Sequence, residues 1–359
     1  MKLWGRNWSQ RELLDRIGRL SQVGGLTPFE FSSGKARGVR AVRVRTGAGL
    51  EFSILADKGL DIFDAFYHSK SLCWHSPVGV VHPAYYDPRD VQWLKSFPGG
   101  LVSTCGLTAA GSPSEDDGEA LGLHGSIGNT PAEDLALSEN WEGDECRLAV
   151  SGTLREIRVH GHNLVLRRTI ETYIGSRTLR VQDDVENEGF RDAPLMLLYH
   201  LNLGFPFLTD RSLIVAPSRG IKARNPHSEK TMNSWETFEA PTRGIEERVY
   251  YHQMRADAQG KVTVALVADA DARDLGIAIS YDADMLPSFI QWKMTGVNHF
   301  VLGLEPANCG VEGRAVERAR GSLEILAPGE RKQFSVRISV LDGRDELHSC
   351  LTAIQQEGT

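Results

Sequence analysis

The chain has 359 residues, enough to bury a substantial core, and its 41% hydrophobic and 24% charged residues are those of a globular protein, not a disordered one. A formal net charge of −7, with Arg and Lys dispersed among Asp and Glu, excludes the basic stripe of a nucleic-acid binder. No apolar run approaches about 18 residues, so no membrane span is expected. The start, Met1 to Trp8, lacks the apolar stretch of a signal peptide, and a cytoplasmic location is the expectation. Five scattered cysteines (Cys73, Cys105, Cys146, Cys309 and Cys350) contain no C-x-x-C pair. They argue against a disulfide framework and a structural zinc cluster, and are read as buried reduced thiols.

In chain order, the first element is a short helix. Ser9 is placed to cap it, with Glu12 at capping-box spacing; Leu13, Leu14, Ile17 and Leu20 fall on one face, and Gly24-Gly25 ends the segment. From Val39 the period changes to two: Val39, Ala41 and Val44, then Leu50-Glu51-Phe52-Ser53-Ile54-Leu55. Asp57-Lys58-Gly59-Leu60-Asp61 reads as a hairpin turn. Residues 76–135 are the least regular stretch, rich in Pro, Gly, Asp and Ser, and a segment of that kind is commonly functional. Within it, the acidic run Ser112 to Gly118 is expected to be a mobile outer loop. Strand patterns resume at Cys146–Val150, Leu154–Val159, Leu164–Tyr173 and Thr178–Val185, separated by turn residues. Leu347, Cys350, Leu351 and Ile354 recur at helical spacing and close the chain. Short strands at regular spacing, without βαβ alternation or a fixed repeat, predict an all-β sandwich of antiparallel sheets with short N- and C-terminal helices. No linker divides the sequence, so residues 1–359 are read as a single domain.

Three segments carry chemistry-bearing residues in unusual settings. Gly122-Leu123-His124-Gly125 sets a histidine between glycines, and Leu198-Tyr199-His200-Leu201-Asn202-Leu203 sets one in an apolar strand. Gly303-Leu304-Glu305-Pro306 places a carboxylate among apolar neighbours, where partial burial raises its pKa toward that of a useful general base. His160 and His162, alternating with glycine, are read as turn residues.

Together these segments resemble the aldose 1-epimerase (galactose mutarotase) family. Leu123-His124-Gly125 is similar to the family's sugar-binding Leu-His-Gly, and the His200 segment to the one that supplies the general acid. Gln291-Trp292-Lys293-Met294-Thr295-Gly296 looks like the strand with a substrate-binding glutamine, and Leu304-Glu305-Pro306-Ala307 stands where the family carries its general base. The family's Asn-Arg pair before Leu-His-Gly, and its substrate-binding Asp, have no counterpart. Ala56 to Ile62, Gly99-Gly100-Leu101 and Thr104-Cys105-Gly106 resemble a divergent branch.

The resemblance implies a galactose mutarotase-like β-supersandwich and an isomerase acting on a small-molecule sugar without a cofactor or metal, with a homodimer as the assembly considered. Glu305 would be the base toward the C1 hydroxyl and His200, as imidazolium, the acid toward the ring oxygen. His124, Gln291, Lys293 and Asn202 would bind the substrate, and Trp93 or Trp292 would stack on the sugar, although alternation directs Trp292 to the core. Lys293 raises the further idea of an acidic sugar. Three other readings compete: a metal-dependent sugar isomerase or lyase using His124, His200 and Glu305 as a two-His-one-carboxylate set, a non-catalytic carbohydrate-binding protein, and a structural sandwich with a decayed site, against which the retention of all three residues argues.

Overall fold

The computed structural model describes residues 1–358. Three antiparallel sheets dominate it. Consecutive strands Gly25–Glu30, Arg40–Arg45, Leu50–Leu55, Asp61–Tyr67 and Lys70–Ser71 form a five-stranded meander. A sheet of eight is built from Glu133–Glu142, Glu145–Ile157, Asn163–Tyr173 and Thr178–Asn187, continued by Arg331–Asp342, Leu275–Asp282, Lys261–Val267 and Leu213–Val215. The third, of six, runs Ser218–Ala223, Arg248–Met254, Ser288–Gly296, His299–Ala307, Leu198–Gly204 and Ser103–Cys105.

The two-residue period explains how the sheets stack. In Thr178–Asn187 every second side chain is buried, so Leu179, Val181 and Val185 enter the core while Arg180 and Gln182 stay at the surface. Those residues join one cluster with Phe52 and Ile62 of the meander and with Leu201, Leu203, Leu302 and Leu304 of the six-stranded sheet. The expected all-β sandwich is thus observed.

Ser9 caps the helix Gln10–Leu14 with a complete capping box, but the helix stops before Ile17, and Leu20–Gln22 is a separate 3-10 turn. The closing helix Arg344–Gly358 packs Leu347, Leu351 and Ile354 on Ala265, Val267, Ala278 and Leu341, on the outer face of the eight-stranded sheet. The acidic run is a correction. Ser114–Asp116 and Glu119–Leu121 pair as a hairpin, and buried Asp116 binds both Arg314 and Arg318 at 2.7 Å, so its charge is a tether instead of a solvated loop. Among the described residues no helix is long and apolar enough to cross a membrane.

The face of the six-stranded sheet turned away from the main core is covered by the irregular segment that begins near Trp74. Trp93 and Phe97 from this segment pack with Leu198, Val249, Ile290 and Val311 in a second cluster. A cavity of about 660 Å³ remains between segment and sheet.

Candidate functional site

Register brings the two proton-transfer candidates together. Leu198 lies opposite Ala307 and Leu201 opposite Leu304, which sets His200 directly across from Glu305 on neighbouring strands. Directly opposed residues share a face of the sheet, and both line the cavity. His200 Nε2 is 3.2 Å from Glu305 Oε1, yet the contact is not aligned as a hydrogen bond, and Oε1 has no protein donor among the described residues. The space for this pair depends on Gly303, two residues before Glu305 on the same face. A Cβ there would lie 2.5 Å from Glu305 Oε1 and 3.3 Å from the His200 ring.

His124 reaches the cavity from the covering segment, with its ring 5.8 Å from that of His200 and φ at +60°. The flanking glycines are required by close approach: a Cβ on Gly122 would meet the Pro88 carbonyl at 2.0 Å, and one on Gly125 the Ala109 carbonyl at 2.3 Å. The backbone of His124 is tied on both sides, its N–H donating to Gly111 and its carbonyl accepting from Gly106. Beneath this loop, buried Glu156 accepts the Leu107 and Thr108 amides and the Ser126 hydroxyl at 2.9, 3.0 and 3.0 Å. Glu156→Ala is expected to cost about 1–3 kcal/mol for each buried donor it orphans. It should also speed amide exchange at Gly106, which bonds the His124 carbonyl. The urea midpoint and hydrogen exchange measure the two effects, and an unchanged midpoint would contradict the role given to Glu156.

Burial sets the charge state. Glu305 is 2% exposed, and loss of water, assisted by the Glu247 carboxylate and opposed by Arg224, pushes its pKa up to about 8. Burial likewise holds His200 down at about 4. His124 is held at about 3 by burial, with His200 and Arg224 adding to the effect. At neutral pH the pair His200–Glu305 therefore carries one proton, resting on the carboxyl. The Nδ1 atoms of His124 and His200 are also buried without a partner among the described residues. A neutral acid beside a neutral base can hand a proton to one ligand oxygen and take one from another.

The other expected ligands are placed differently. Ile290 lies opposite Glu305, so Ile290, Trp292 and Met294 face the cavity, while Gln291 and Lys293 point through the sheet to its other side. There Gln291 bonds His252 at 3.0 Å and the Trp235 carbonyl at 2.8 Å, and Lys293 binds the Ser234 and Thr237 carbonyls. Both are fully buried anchors of the segment before Arg248, and neither lines the cavity, which also removes the basis for reading Lys293 as an anion-binding group. Asn202 is buried, with its amide nitrogen bonded to the Gly100 and His200 carbonyls, and it too is absent from the cavity wall. Trp93 does line the cavity, but it is stacked on Phe97 at 4.4 Å and tilted against His124 at 4.8 Å. Trp292, expected in the core, is in the cavity wall, fixed by its indole N–H donating to Glu247 at 2.8 Å.

Among the described residues Arg224 is the cation of the cavity wall, a residue not singled out by the sequence. Its guanidinium donates to Glu312 at 3.0 Å and to Ser112 at 2.8 Å. Its strand ends at Ala223, and no local pattern marks the residue after it. Among the described residues, no group of three or more His, Cys, Asp or Glu is arranged to hold a metal ion.

The structure is similar to that of a candidate aldose 1-epimerase from Klebsiella pneumoniae, with a TM-score of 0.88 and 22% identity over 98% of this chain and 95% of that one. It is similar also to a galactose mutarotase-like protein from Clostridium acetobutylicum (TM-score 0.57, 12% identity, 89% and 99% covered). A galactose 1-epimerase from Lactobacillus acidophilus compares at a TM-score of 0.56, 10% identity and the same coverage. These likenesses define the fold as galactose mutarotase-like. In sequence, residues 36–340 match the family described as domain of unknown function DUF4432, and the chain belongs to that family. No curated protein matches it significantly in sequence.

Proposed function

We propose that the protein is a carbohydrate-binding isomerase of the aldose 1-epimerase type, interconverting the anomers of a reducing sugar by acid–base ring opening. The observation that carries this reading is the buried His200–Glu305 pair, 3.2 Å apart on the floor of a cavity large enough for a sugar. In the forward step the proton resting on Glu305 first passes to His200 Nε2, 3.2 Å away. Glu305, then a carboxylate, removes the C1 hydroxyl proton while His200, then an imidazolium, protonates the ring oxygen. The C1–O5 bond breaks, C1 becomes an aldehyde, and rotation about C1–C2 presents its other face. Closure returns each proton with the roles exchanged. Opening leaves the pair as protonated Glu305 and neutral His200, the distribution favoured in the empty cavity. Every turnover visits both distributions, and the Arg224 charge, which lowers the Glu305 pKa, brings them closer in energy. His124, neutral throughout, offers a ring nitrogen to a neighbouring hydroxyl.

The pH profile tests this directly. Below about 4 both groups are protonated and no base remains; above about 8 both are deprotonated and no acid remains. After subtraction of the solvent-catalysed rate, kcat/KM should form a plateau between these limits and fall about tenfold per pH unit on either side. Activity that keeps rising above pH 9 would contradict a one-proton pair.

A further inference from the structure

The catalytic pair uses only the floor of the cavity. Its volume of about 660 Å³ lies within the range of roughly 300–1,000 Å³ that encloses drug-sized ligands, and is several times that of one pyranose ring. The walls above the floor are mostly apolar, with Trp74 and Trp292 set edge to face at 6.2 Å and Met294 beside them. Apolar side chains continue to the lip, where Val78, Val91 and Leu94 are 38%, 44% and 51% exposed, although each also lines the cavity. Apolar surface left open around a cleft marks what a ligand covers. A free monosaccharide held at Glu305 would leave these walls wet, and a hydroxyl turned toward them would lose its water without gaining a partner. Arg224 and Glu247, with bonds to Glu312 and Trp292, are the charged groups on the wall.

We propose that the substrate is a reducing sugar extended, on a hydroxyl remote from the anomeric carbon, by an apolar-faced unit that lies against Trp74, Trp292 and the Val91–Leu94 lip. This rests on the anomer-exchange reading of the site and names its substrate class. An aromatic or acyl ester and a second pyranose ring, whose C–H face is apolar, offer the same chemistry to these walls.

The test compares glucose, its 4-O- and 6-O-benzoyl esters, and cellobiose, by anomer exchange in NMR and by quenching of tryptophan fluorescence. Filling an apolar pocket discriminates by about tenfold or more, so at least one extended sugar should exceed glucose by that factor in kcat/KM, through a lower KM. The benzoyl esters lead if the extension is aromatic or acyl, and cellobiose leads if it is a second ring. Leu94→Ser and Trp292→Ala, checked for folding by circular dichroism, should each shrink that preference. Equal kcat/KM for glucose and all extended sugars would overturn the substrate class while leaving anomer exchange standing. Tighter binding of an extended sugar without exchange of any sugar would support the class and defeat the exchange reading. Equal binding of all probes, or a preference untouched in both folded variants, would overturn the proposal.

Discussion

Glu305→Gln is expected to lower catalysed anomer exchange by about 10²–10⁴-fold, the usual contribution of a positioned proton-transfer group. The amide has the shape of the protonated carboxyl that rests in the cavity at neutral pH, so folding and sugar binding should survive. Stability carries a second signature. A carboxyl raised from 4.5 to about 8 on folding gives stability that is intact below pH 4.5 and is lost as pH rises through 8. The glutamine variant has no such loss. Its stability relative to wild type should therefore grow across that interval, and thermal melts at pH 5 and pH 8 measure it. A variant that exchanges anomers at the wild-type rate would remove Glu305 from the mechanism.

The largest expected stability effect is at Arg168, the centre of an ion cluster below the site. Its side chain is fully buried, bonded bidentate to Asp183 at 2.8 and 2.6 Å, and bonded to Asp61, Thr104 and the Gly59 carbonyl. The Tyr199 hydroxyl donates to the same Asp183, so the strand carrying His200 is fastened to this cluster through its neighbouring residue. Arg168→Ala leaves two buried carboxylates without their cation and should cost about 3–5 kcal/mol. By contrast Arg211, paired with Asp269 at the surface with 59% of its side chain exposed, should lose at most about 1 kcal/mol on the same change. Urea midpoints separate the two cases. Similar small shifts for both would show that the cluster is not what holds the sheets together.

What the sequence disclosed depended on how local the cause was. The Ser9–Glu12 capping box, the alternation in Thr178–Asn187 and the closing helix are set by neighbours a few residues apart, and each appears where expected. The sequence also singled out His124, His200 and Glu305, which come from separate segments and meet in one cavity. Their catalytic and binding roles remain part of the proposal.

The first limit is register. The two-residue period puts Gln291 and Lys293 on one face of a strand, but which face meets Glu305 is decided by pairing with His299–Ala307, and that pairing gives the face to Ile290 and Trp292. Asn202 shows another limit, since a buried amide satisfies backbone carbonyls as readily as sugar hydroxyls. Gly303 is a signal legible in the sequence: a glycine two residues before a buried acid leaves the room that the acid and its histidine need. Arg224 carried no such mark, because its position follows from the path of the chain after Ala223 and from partners such as Ser112, 112 residues away.

The central claim is tested most directly by two-dimensional exchange NMR on the wild-type protein with a panel of reducing sugars, plain and extended, and their methyl glycosides. The account predicts exchange cross-peaks between α and β anomers of at least one reducing sugar, above the solvent rate, and none for any methyl glycoside, which has no C1 hydroxyl to deprotonate. A sugar that binds in the cavity while no anomer pair exchanges faster than in buffer would contradict it.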